Sequence, residues 1–146
     1  MLEDSDVVDS GVVDRHPFFA VCIAYAASNC VPGQESIRSA LWTKIRPWMH
    51  ALPFSDRESD EIELINLKSL LVLYASAKSS ILGKGKHYPE HRLHLWTVKS
   101  QTEMYSRHIR LHQSARHFAK AGHDSPANAD LLGKYRCWLW LHASCH

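Results

Sequence analysis

Four chain-breaking clusters constrain this sequence more than any other feature. They are "VPGQ" at 31–34, "LPFSDRESDE" at 52–61, "GKGKHYPEH" at 83–91 and "GHDSPAN" at 122–128. Between them apolar residues recur at three- and four-residue intervals. No segment alternates apolar and polar residues with the two-residue period of a half-buried strand. The pattern predicts an all-α chain, an irregular array of about five helices.

The predicted helices follow from the breaks. "HPFFAVCIAYAASNC" reads as a buried helix starting near Pro17, because proline tolerates a first-turn position. Gln34 to about His50 forms a second, with Ile37, Leu41, Ile45 and Trp48 on its apolar face, and Pro47 is expected to kink or end it. A third runs from about Asp60 to Leu82 on Ile62, Ile65, Leu70, Leu73 and Ala77, its acidic start matching the helix dipole. The fourth is the longest, about Glu90 to Ala121, with Leu93, Trp96, Ser100, Met104, Leu111, Ala115 and Phe118 nearly in line. The fifth begins near Asn128 or Ala129 and runs through "KYRCWLWLHASCH". That ending is still strongly apolar, so the expectation is a portion of a larger helical domain, with Trp138, Leu139, Trp140 and Leu141 promoting self-association.

Composition narrows the class. Hydrophobic residues make up 45% and charged residues 22%, a balance that fits a packed domain rather than a disordered one. The 146 residues divide into an acidic arm at 1–15 and one domain at 16–146. The net charge of +2 does not by itself mark a polyanion binder. Its distribution is uneven: residues 1–63 carry 5 Lys/Arg against 11 Asp/Glu, and residues 64–146 carry 12 against 4. Packing of the acidic half on the basic half is the favoured reading, and an exposed basic face is the other. No apolar run approaches the roughly 20 residues of a membrane-spanning helix. Cys22, Cys30, Cys137 and Cys145 form no C-x-x-C pair and read as reduced thiols, as in a reducing intracellular compartment.

Sites of chemistry are few. His87, His91 and His94 have metal-ligand spacing, but Pro89 interrupts the helix that would align them and no fourth ligand is evident. His108 and His112 lie four apart without the glutamate of H-E-x-x-H, and read as boundary residues of a mostly buried helix. "GKGK" at 83–86 lacks the strand, spacing and Ser/Thr of a phosphate loop. No nucleophile elbow or acid–base pair stands out. The expectation is a chain without catalytic residues, metal or cofactor. "MYSRHIRLHQSARHFAK" at 104–120 spreads its charges around the solvent-facing side of a helix rather than along one groove-facing strip, so it reads as a solvated surface.

The order of motifs carries more. Leu70, Leu71, Val72 and Leu73 form a leucine-rich run. Trp96 is followed by "IRLH" at 109–112, and then by Lys134, Arg136, Trp138 and Leu141. Preceded by the "HPFFAVCIAYAAS" helix, this order resembles the middle homology region, or fungal-specific transcription factor domain, of fungal zinc-cluster transcription factors. In that family a tryptophan precedes an "LGLHR" motif and a basic, aromatic helix ending in D-R/H. Ile109, Leu111 and His112 fall on the Leu, Leu and His of "LGLH". Arg110 replaces its glycine, which implies that the bend or close approach there is absent. Gln113 replaces the following basic residue, Ser100 a small glycine, and Cys145 the acidic residue, with His146 on the Arg/His slot.

The resemblance implies the regulatory portion of a nuclear RNA polymerase II transcription factor. In the family, DNA is contacted through a separate cluster of six cysteines that binds two zinc ions. That cluster is not in this sequence, so contact with DNA would be indirect. It also implies that the domain continues past the last helix. The alternative is a stand-alone helical interaction module whose basic C-terminal half docks an acidic partner.

Overall fold

The computed structural model describes the backbone of residues 11, 14–84, 89–121 and 129–145, and side chains outside 80–93, 119, 121, 129–131 and 144–145. Among the described residues there are helices and no strands, as the periodicity predicts. In chain order they are α1 (Pro17–Ser28), α2 (Glu35–Ala51), a short 3-10 turn (Leu52–Phe54), α3 (Asp60–Lys84), α4 (Pro89–His108), α5 (Leu111–Ala121) and α6 (Ala129–Cys145). Of the acidic arm, Asp14 and Arg15 are helical and positions 1–10 lie outside the described residues.

Helix α3 is the hub. It packs against α1, α4 and α6, while α2 lies on α1 and α5 lies on α6. Its hub role follows from its sequence: Leu64, Leu67, Leu70, Leu73, Tyr74 and Ala77 are all buried. These spacings of three and four widen the apolar stripe enough to meet neighbours on more than one side. Ile62, expected on the core face, is instead 38% exposed, and the stripe is carried by Leu64 and Leu67. The helix starts where the acidic run predicts. Ser59 accepts the Ile62 N–H through its side chain and the Glu63 N–H through its carbonyl, and Asp60, Glu61 and Glu63 occupy the first turn.

Helices α1 and α2 begin and end close to expectation. Phe18, Cys22, Tyr25 and Ser28 form the buried face of α1. The α1–α2 turn ends on Gly33, whose φ of +80° lies in the left-handed region that glycine enters without a Cβ penalty. At the end of α1, Asn29 donates to Ser76 Oγ of α3 and accepts from Arg38 of α2, tying the three helices together. In α2 the buried positions are Ile45 and Met49, with Leu41 and Trp42 packed at the edge. Ile37 and Trp48 are 50% and 42% exposed. Pro47 does not end the helix, which runs on to Ala51. Proline cannot donate back to the Thr43 carbonyl, but both residues are exposed and water can serve that acceptor.

The largest departure concerns the long fourth helix. It is two helices, giving the six named above among the described residues in place of about five, and they meet at Ile109–Arg110. The core face of α4 is Val98, Thr102 and Tyr105, continued by Ile109 in the turn that follows. Trp96 and Met104, expected on the core stripe, are 66% and 39% exposed, and Lys99 Nζ lies 5.5 Å from the Trp96 ring centroid. A single helical phase carried across residue 110 aligned Trp96 and Met104 with Leu111, Ala115 and Phe118. The turn resets that phase, so only the last three are buried.

Candidate functional site

A site that gathers Leu111, His112, Trp138 and Leu141 lies where the α4–α5 elbow meets α6. It is built in three layers: a buried ionic joint that places α6, the elbow itself, and a cleft between them.

The joint fixes α6 against the start of α3. Lys134 Nζ donates to Asp60 Oδ1 at 2.8 Å and to Glu63 Oε1 at 3.1 Å, and Arg57 donates to the same Glu63 carboxylate at 2.6 and 3.1 Å. Glu63 and Lys134 are almost wholly withdrawn from water, while Asp60 and Arg57 face it. Burial pushes the Glu63 carboxyl up, but the hydrogen bonds from Arg57 and Lys134 outweigh it and hold the group below the usual carboxylate range. The hydrogen bond to Glu63 raises Arg57 above its ordinary value, outweighing burial, which lowers it. Here a lysine of the basic half is packed between two carboxylates of the acidic half. Beside the joint, Asn66 donates to the Tyr105 hydroxyl at 3.3 Å, and burial pushes that phenol up to about 12. The residue before Lys134 on α6 has no room for a side chain. A Cβ on Gly133 would stand 2.6 Å from Leu64 Cδ2.

The elbow turns on Arg110, whose φ is +54°. The N–H of Ile109 closes the last α-turn on the Tyr105 carbonyl, and the N–H of Arg110 bonds the Arg107 carbonyl. The Arg110 carbonyl then accepts from Gln113 and Ser114, opening α5. Arg110 therefore terminates one helix and caps the next, in a conformation that favours glycine. The expected loss of the bend is overturned. Residue 110 takes a left-handed backbone although it is arginine, because buried Ile109 and Leu111 on either side anchor the two helices.

The elbow also separates the second histidine pair. His108 is the last residue of α4 and His112 the second of α5, so they do not share one helix face. His94 stacks on Trp42 at 4.3 Å between ring centroids, and its companions His87 and His91 lie outside the described residues or side chains. Among the described residues no three His, Cys, Asp or Glu side chains converge as a metal site, and no helix is long and apolar enough to cross a membrane.

Between elbow and α6 is a cleft of about 190 Å³, lined by Ser106, Arg107, Leu111, His112, Trp138, Leu141 and His142. Its floor is apolar, with Trp138 and the His142 ring 4.7 Å apart, and its rim is basic. Four of the motif positions named above, Leu111, His112, Trp138 and Leu141, meet there. Ile109 is buried behind them, Leu70 and Leu71 belong to the α3 core, Arg136 is exposed on α6 and Trp96 is exposed on α4. Positions 145 and 146 fall outside the described side chains. Sequence reasoning placed Lys134 only as a motif residue and missed Glu63 altogether. Their charges in opposed halves were the sole signal.

No protein-family model, no characterised relative and no solved structure matches this chain.

Proposed function

We propose that this chain is a regulatory helical module of the kind found in the middle region of fungal zinc-cluster transcription factors, acting in the nucleus and reaching DNA only through a separate zinc module. It carries no catalysis and no metal or cofactor of its own. The reading rests on the motif order. The observation that most supports it is the left-handed turn at Arg110, the position at which the family motif carries glycine. The meeting of Leu111, His112, Trp138 and Leu141 in one cleft gives four of the motif positions a common place in the fold.

The test is a reporter assay in a fungal host. The chain is fused between a heterologous zinc-cluster DNA-binding module and a constitutive activator, and output is compared with the same fusion lacking the chain. A regulatory module changes output several-fold at equal protein level. Equal output with and without the chain, at equal nuclear abundance, overturns the reading.

A second reading, a helical module that docks an acidic partner, is favoured by one observation. Arg110, Arg116, Lys120 and Arg136 are exposed, and among the described residues none of them joins an ion pair.

A further inference from the structure

The cleft between the elbow and α6 combines two properties that together specify a ligand. Its volume, about 190 Å³, is below the roughly 300–1,000 Å³ of pockets that enclose drug-sized molecules. It suits one bulky side chain, seated on Leu111, Trp138 and Leu141. Its rim carries Arg107 and His112 and, among the described residues, no carboxylate. Glu103, one turn before Arg107 on α4, forms no ion pair with it among the described residues. Arg110 and Arg116 are also exposed, on the elbow and on α5, and extend the positive charge beyond the rim.

We infer that the elbow cleft binds an acidic peptide segment of a protein partner, one large apolar side chain entering the cleft and flanking carboxylates meeting Arg107, His112 and the arginines beyond. The inference rests on the second reading above and locates its surface. An apolar anchor in a desolvated pocket supplies most of the affinity of such contacts, whereas complementary charge supplies orientation and association rate. Apolar contact alone would accept any hydrophobic segment. Charge alone would accept any polyanion. The cleft requires both in one ligand.

The test uses the full chain and fluorescence anisotropy with a labelled twelve-residue peptide of Asp, Glu and Ser around one central Phe. Binding is expected, with at least about tenfold weakening when Phe becomes Ala and a similar loss when the acids become amides. The double variant Arg107→Glu/His112→Glu should weaken binding at least about tenfold, while Lys44→Glu/Arg46→Glu on the exposed face of α2, with a charge change no smaller, should alter it less than about twofold. Circular dichroism on each variant establishes that the helices persist. No binding, equal losses in both double variants, or indifference to the Phe overturns the site. Equally tight binding of phenylpropionate overturns the peptide assignment in favour of a small aromatic acid. Failure here leaves the reporter test untouched, since a module can regulate through another surface. Failure of the reporter leaves this binding measurable on the isolated chain.

Discussion

Lys134 Nζ lies 3.1 Å from Glu63 Oε1, across 71 positions of sequence, with both side chains almost fully buried. Removing one partner of such a pair leaves a charge stranded in a poorly solvated place, which costs about 3–5 kcal/mol when no other partner is at hand. Here each has a second partner, Asp60 for Lys134 and Arg57 for Glu63. Lys134→Met is therefore expected to lose about 3 kcal/mol in urea unfolding, and the double variant Lys134→Met/Glu63→Leu to recover part of it. An additive double variant would show that the pair does not act as a unit.

The same joint has an acid limb. The folded-state pKa of Glu63 is depressed below its ordinary 4.5, so its contribution is present above that pH and is lost as pH falls through the folded value. Glu63→Gln is expected to unfold more readily at neutral pH, with a shallower loss of stability below about pH 4.5. Denaturant midpoints measured across pH 2–6 on both chains, about the span in which carboxyls titrate, check the slope.

Arg110 holds a left-handed conformation that costs a residue with a Cβ roughly 1 kcal/mol. Arg110→Gly is expected to raise stability by about 0.5–1 kcal/mol, a little less than the strain relieved because glycine is freer when unfolded. Arg110→Asn is expected to do so as well, since asparagine tolerates this region and can cap α5 with its side chain. Arg110→Val should lose stability, because branching at Cβ opposes a positive φ. A loss with glycine would show that the arginine side chain, not the backbone, secures the turn.

Gly133 meets Leu64 more closely than a Cβ allows. In an ordinary helix interior, glycine to alanine gains about 1 kcal/mol. Here Gly133→Ala is expected to destabilise, since buried Leu64 must shift into a packed core. In a Leu64→Ala background the sign should reverse, and thermal unfolding of the four chains in the cycle measures it.

Alkaline pH should act on buried acids. Burial pushes the Cys22 thiol from 9.0 up to about 12 and Tyr105 from 10.0 up to about 12. In the unfolded chain these groups release protons first, so stability falls as pH rises from about 9 towards 12. Cys22→Ala should flatten the first part of that fall, read from unfolding between pH 8 and pH 11, about the range bounded by free thiol and phenol ionisation.

How far the sequence carried can be judged residue by residue. Pro17 and the acidic run before α3 marked helix starts correctly, because first-turn chemistry is local. The buried runs of α1 and α3 were legible from spacing. Trp96 and Met104 were misplaced because one helical phase was carried through Arg110, and arginine gives no local sign of a left-handed turn. Of the cleft, Leu111, His112, Trp138 and Leu141 were picked out as motif positions, but nothing in their order shows that they share a surface.

By itself the sequence determined what local geometry and periodicity can determine: an all-α chain, the approximate reach of its helices and the separation of charge between its halves. Tertiary structure decided the rest. It broke the fourth helix at Arg110, because anchoring Ile109 and Leu111 in the core outweighs the strain at one backbone position. It brought Lys134 to Glu63, and so set α6 against the elbow. Such pairings depend on where distant segments meet, which no window of sequence contains.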